Sequence, residues 1–243
     1  MKHDNIVKYK EHFNLKHTKT IYIVMEYCPE GDLAKKIQEK KQQQRTMPED
    51  LIWCIIMQIV KALYECHGPD HPEQNDPNAK QRRKRIIHRD LKPQNILFGN
   101  KSQVKLADFG LSRTLSSSET QGMTAVGSPL YQSPEQIEGK KYDEKTDIWS
   151  LGIIMYEMAA LRPPFTGPSQ YALANSIVKA EFQRIPHSYS DEMQRVIEWM
   201  LKKDPKERAS VTDLVNVPQI SIKLREARIY STKISIEQKE KKI

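Results

Sequence analysis

The sequence predicts an α+β fold in which a small strand-bearing start leads into a mainly helical body. Three observations carry this. Two β-type runs, IVKYKEHF at 6–13 and IYIVMEY at 21–27, stand at the front, joined by the polar turn NLKHTKT. Two shorter apolar runs, ILF at 96–98 and VKLAD at 104–108, stand in mid-chain. From Lys145 onward the apolar residues follow helical spacing. With 243 residues, 38% hydrophobic and 29% charged, the chain suits a soluble globular protein of one or two domains.

The elements follow in order. GDLAKKIQEKKQQQ at 31–44 reads as a short helix running into a polar stretch. MPEDLIWCIIMQIVKALYECH at 47–67 has a helical apolar period, and Pro48, Glu49 and Asp50 make a good helix start. Residues 68–85 are rich in Pro, Asn, Asp, Gln and basic residues, an exposed loop. IIH and ILF flank a polar loop as short β segments, and 112–130 is a Ser/Thr/Gly-rich segment. TDIWSLGIIMYEMAAL, SQYALANSIVKA and SDEMQRVIEWMLKKDP then read as three helices. The tail 221–243 scatters Ile and Leu among charges, which fits either an amphipathic helix or disorder.

Composition excludes several classes. The net charge is +8, concentrated in QRRKR at 81–85, with Lys80 before it, and in the tail. The first cluster holds no aromatic and the tail only Tyr230, so a solvated loop is expected and a nucleic-acid partner is not. Cys28, Cys54 and Cys66 are odd in number and form no framework, pointing to a reducing, intracellular setting. CHGPDH at 66–71 offers too few ligands at workable spacing for a metal site. The polar, basic N-terminus is no signal peptide, and LIWCIIMQIV at 51–60 is too short to span a bilayer.

The chemistry concentrates in IIHRDLKPQNILF at 86–98. Asp90, Lys92 and Asn95 stand within six positions, behind His88 and Arg89. A carboxylate can take a proton from an attacking hydroxyl. An ammonium can steady a transferring phosphoryl group, and an amide oxygen is a hard ligand suited to Mg²⁺. A charged surface turn would not need this long, specific order of residue types.

Further motifs stand at matching intervals: ADFG at 107–110, GSPLYQSPEQ at 127–136, DIWSLG at 147–152 and Arg208. Together with HRDLKPQN at 88–95 they resemble the eukaryotic serine/threonine protein kinases over residues 1 to about 220. Within that superfamily the chain is most similar to the NIMA-related (Nek) kinases, through TIYIVMEYCPEGDLAKKI at 20–37, the CH before the catalytic loop, and VGSPLYQSPEQ. Ala107 replaces a glycine common in that family and Ser128 a commoner threonine.

The resemblance implies a kinase-like fold and roles for named residues. Asp90 would orient and deprotonate the substrate hydroxyl, Lys92 would neutralise the γ-phosphate, and Asn95 and Asp108 would hold Mg²⁺ against the phosphates of ATP. Met25 would be the gatekeeper behind adenine; the backbones of Glu26 and Cys28 would pair with the base; Asp32 would lie near the ribose and Leu97 under the ring. Read alone, MEYC is an ordinary buried strand end. Asp147 reads as a helix N-cap, and by resemblance also as an acceptor from the catalytic-loop backbone. Arg208 would pair with Glu135, and His88 would stack with Phe109 in the core. Thr124, if phosphorylated, would give Arg89 a bidentate partner, unless 112–130 is simply a flexible loop. Ser128 would hydrogen-bond Asp90 and Lys92. The resemblance narrows the intracellular setting to cytoplasmic or nuclear. The implied partners are ATP and a protein substrate bearing Ser or Thr; the oligomeric state stays open.

One part of the pattern is missing from this sequence. Of the nine glycines, no two are spaced G-x-G, and no V-A-x-K strand precedes the hinge; Lys8 and Lys10 match the fourth strand. The expectation is an N-terminally truncated kinase: a small-lobe remnant over 1–27, a large lobe over 28–220 carrying the insert 68–85, and a basic tail over 221–243. Whether such a chain transfers phosphate or serves as a pseudokinase docking module is left open by the residues.

Overall fold

The structure is a computed structural model; it describes residues 3–15, 17–68, 85–109, 113–114 and 129–227. Strands β1 (Tyr9–Leu15) and β2 (Thr20–Met25) form an antiparallel hairpin with a register shift between Tyr9 and Glu11. The first strand starts three residues later than the sequence suggests. Ile6 instead bridges in parallel to Leu106, and the Val7 N–H donates to the Leu106 carbonyl at 2.8 Å. Ile6 is buried there, so burial on the large body wins over hairpin extension.

Helix α1 (Leu33–Gln42) is N-capped by Asp32, and α2 (Glu49–His67) is the long helix expected from its periodicity. It ends at Gly68, whose φ of 73° is open to glycine at no steric cost. Strands β3 (Ile86–Ile87), β4 (Ile96–Phe98) and β5 (Val104–Leu106) follow, with β6 (Arg113–Thr114) pairing antiparallel with β3. The β4–β5 hairpin sets Leu97 opposite Lys105. After the short α3 (Pro134–Ile137) come α4 (Lys145–Ala160), α5 (Gln170–Lys179), α6 (Asp191–Met200) and α7 (Val211–Val215). Residues 218–227 are helical, so the tail's helical reading holds as far as 227; the rest of it lies outside the described residues.

Helix α4 is the hub. It is apolar all round and buried from Thr146 to Met155 and beyond, which marks a central helix rather than a surface one. Gly152 lets α6 approach: a Cβ there would lie 2.9 Å from Met200 Cβ and 2.8 Å from Leu201 Cδ2. Trp149 stacks on Phe165 with ring centroids 5.6 Å apart. One contiguous cluster joins α1, α2, β4, β5, α4, α6 and α7. The first hairpin stands apart, with Tyr9, Phe13, Ile21, Tyr22 and Ile23 all about half exposed or more.

Candidate active site

The catalytic-loop backbone hangs from one buried carboxylate. Asp147 Oδ2 accepts the His88 N–H at 2.9 Å, and Oδ1 accepts the Arg89 N–H at 3.0 Å. His67 Nε2 lies 2.8 Å from the same Oδ2. Burial pushes the Asp147 carboxyl up, but the His67 and backbone donors outweigh it and hold it below the usual range, so it stays ionised. Asp147 sits in the first turn of α4, whose N-cap is Glu144. The N-cap reading is therefore corrected: its oxygens serve another segment of the chain. That anchorage supports a left-handed Arg89, φ 71°, which turns the chain sharply before Asp90.

Asp90, Lys92 and Asn95 converge beyond the turn. Lys92 Nζ lies 2.6 Å from Asp90 Oδ2. Asn95 Nδ2 donates to the Asp90 carbonyl at 2.8 Å and to Oδ2 at 3.1 Å. Two donors thus fix Oδ2, and Oδ1 has no hydrogen bond among the described residues. With Nδ2 donating, the Asn95 amide oxygen faces away from Asp90. The 3-10 turn Pro93–Asn95 supplies the geometry, and the Asn95 carbonyl accepts the Ala107 N–H at 2.9 Å. The next residue, Asp108, is exposed and left-handed at φ 59°. His88 Nε2 lies 2.9 Å from the Ala107 carbonyl, and its ring stands 4.7 Å from that of Phe109. Two interlocked contacts therefore hold 107–109 beside the loop.

The residues expected to hold Mg²⁺ are one carboxylate, Asp108, and one amide, Asn95. Among the described residues no group of three or more His, Cys, Asp or Glu could form a metal cage. Mg²⁺ does not need one, since it is bound by one or two carboxylates with waters and substrate phosphates. An exposed Asp108 and the Asn95 amide oxygen fit that requirement.

The segment expected to form the hinge, Met25 to Cys28, lies at the end of β2. Met25 is half exposed, and the Glu26 carboxylate ion-pairs with Lys105 at 2.9 Å. Burial acts to raise the Glu26 carboxyl, but the donors from Lys105 and the Lys8 N–H hold it below its usual range. The backbone N–H of Cys28 pairs with no group among the described residues. Leu97 bridges to Asp32, and Asp32 Oδ1 accepts the Lys35 N–H at 2.8 Å as cap of α1. One of the two oxygens expected near a ribose is thus already committed to a helix end.

Around this centre the remaining expected residues fall in two groups. Glu135 and Arg208 form a bidentate pair at 2.6 and 2.9 Å, both buried. Arg208 also donates to the Lys202, Lys203 and Lys145 carbonyls and lies over Trp149. Arg89 rests over the Tyr142 ring, and its buried Nε has no hydrogen-bond partner among the described residues. Thr124, Ser128 and most of the insert 68–85 lie outside the described residues. A groove of about 470 Å³ beside the loop is lined by Asp32, Gln94, Tyr131 and Glu157. A larger cleft of about 760 Å³, walled by Pro134, Phe182 and Leu201, does not include Asp90, Lys92 or Asn95.

Sequence reasoning missed His67 and Lys105 as parts of this site. Their partners are 80 and 79 residues away, and no local spacing carries such a pairing.

The pattern of the protein kinase domain matches residues 1–220. The chain belongs to the protein kinase family. Within it, the chain is similar to the serine/threonine-protein kinase Nek2 of Homo sapiens, 41% identical over 221 residues, covering 91% of this chain and 47% of that protein. It is 38% identical over 229 residues to the probable serine/threonine-protein kinase nek2 of Dictyostelium discoideum, covering 94% and 52%. It is 37% identical over 241 residues to the G2-specific protein kinase nimA of Emericella nidulans, covering 94% and 34%. The chain is thus a Nek-like kinase that spans between about a third and about half of these relatives' length. No helix among its described residues is long and apolar enough to cross a membrane.

Proposed function

We propose that this Nek-like chain transfers the γ-phosphoryl group of ATP to Ser and Thr hydroxyls of protein substrates. The convergence of Lys92 and Asn95 on one oxygen of Asp90 carries the reading. It leaves the other oxygen to orient the substrate hydroxyl and take its proton as the new P–O bond forms and ADP leaves. Lys92 stands 2.6 Å from that base, where its charge can balance the phosphoryl oxygens. Bound Mg²⁺ would supply charge neutralisation at the phosphates, held by Asn95 and Asp108. The Glu26 carbonyl and Cys28 N–H would meet the adenine edge, with Met25 behind the base, Leu97 beneath it and the free oxygen of Asp32 toward the ribose. Arg89, whose buried Nε has no hydrogen-bond partner among the described residues, would receive a phosphate on Thr124, and Ser128 would bind Asp90 and Lys92. An intracellular setting accords with free Cys28, Cys54 and Cys66.

A second reading, a docking module without transfer, is favoured by the lack of any G-x-G pair in the sequence. Phosphoamino-acid analysis of a generic protein substrate incubated with the chain and ATP–Mg²⁺ separates the two. Labelled phosphoserine and phosphothreonine are expected; label on tyrosine, or none with a folded chain, contradicts the proposal.

A further inference from the structure

We propose that Lys105 is a positioning residue for adenine, fixing the hinge against the strand beneath the base through its ion pair with Glu26. The proposal rests on the kinase reading above, and Lys105 belongs to none of the catalytic motifs.

The geometry is a clip between three segments. Lys105 Nζ lies 2.9 Å from Glu26 Oε1 and 3.0 Å from the Asp4 carbonyl. The same Oε1 accepts the Lys8 N–H at 2.7 Å, while the Glu26 N–H donates back to the Lys8 carbonyl at 2.9 Å. The Lys105 side chain is only 11% exposed, so its charge is held in place rather than free in solvent. On the β4–β5 ladder Lys105 stands directly opposite Leu97, so both side chains share one face of the hairpin. One residue thus ties the hinge to the β4–β5 hairpin whose Leu97 would floor the ring.

A second tie closes the far end of the hinge. The Glu30 N–H donates to the Phe98 carbonyl at 3.1 Å, and the Phe98 N–H to the Gly31 carbonyl at 2.9 Å. Residues 27–29 are therefore bracketed on both sides by contacts to β4 and β5. Between the brackets the Cys28 N–H is left for a ligand. A donor pre-set in this way binds without the ordering cost of a mobile loop. Without Lys105 the Glu26 carboxylate keeps only its local Lys8 partner, and the upstream bracket opens.

Adenosine is the probe, because it reports the base contacts without the phosphates. Calorimetry and amide hydrogen exchange on the full chain compare wild type, Lys105→Met, Glu26→Gln and the charge-keeping Lys105→Arg. Lys105→Met and Glu26→Gln are expected to weaken adenosine about tenfold. Both are also expected to speed exchange of the Glu26 N–H, which is bonded to the Lys8 carbonyl, about tenfold, with Lys105→Arg near wild type in each measurement. A Lys105→Met chain that only melts earlier, with wild-type adenosine affinity and hinge exchange, overturns the proposal. A wild-type chain that binds no adenosine overturns the kinase reading instead, and hinge exchange then decides for or against the clip.

Discussion

Lys92 and Arg208 are both cations held against a carboxylate, yet they call for different tests. Lys92 keeps about a quarter of its side chain in solvent and pairs with Oδ2 of Asp90. Lys92→Met is expected to cut phosphoryl transfer about 10²–10³-fold while leaving the melting temperature near wild type, read by steady-state kinetics and calorimetry. Arg208 is wholly buried beside Glu135. Arg208→Ala would strand that carboxylate, and a loss of about 3–5 kcal/mol is expected in urea unfolding. Glu49 carries a pH prediction. Burial acts to raise its carboxyl, but the Ser190 N–H and hydroxyl and the Trp53 indole N–H hold it below the usual glutamate value. The unfolded chain therefore binds this proton at higher pH than the folded one. The contribution is whole above the ordinary glutamate pKa and is lost as pH falls through the lower folded value. Glu49→Gln is expected to flatten the stability-against-pH curve in that window; an unchanged slope would contradict the assignment.

Among the elements, α4 and α6 meet closely at Gly152. Gly152→Ala would place a methyl 2.9 Å from Met200 Cβ, which cannot swing aside as a side-chain end can. A destabilisation of about 1–3 kcal/mol is expected, measured by thermal or denaturant unfolding. The long helices were legible in the sequence because their apolar period is set locally. The loop around Asp90 was legible for a different reason, since its residue types are fixed in order by chemistry. Ile6 and Val7 were not, because their β propensity fits the hairpin equally well and burial against Leu106 decides. Strand β6 is two residues long within a Ser/Thr/Gly-rich stretch, and only pairing with Ile86 and Ile87 reveals it. Asp147 looked like a helix cap because its position along the chain permits one; its actual partners lie 58, 59 and 80 residues away.

At the scale of the whole molecule, two regions contrast. The helical body encloses a continuous core, and the catalytic loop is anchored to its central helix. The first hairpin carries apolar side chains on both faces, with Ile21 60% and Ile23 59% exposed. Exposed apolar strands associate. Replacing Ile21 and Ile23 together with Thr is expected to lower self-association in light scattering, with little change in melting temperature, since neither residue belongs to the core. The lysine clip to Glu26 joins the hairpin to the body, and the chemistry depends on both sides of that joint. The measurement that bears most directly on the whole is transfer of labelled γ-phosphate from ATP–Mg²⁺ to a Ser/Thr protein substrate, wild type beside Asp90→Asn. The geometry predicts transfer by the wild type that falls at least about 10²-fold in Asp90→Asn, with folding preserved. Equal transfer by both chains, or none by a folded wild type, would contradict it.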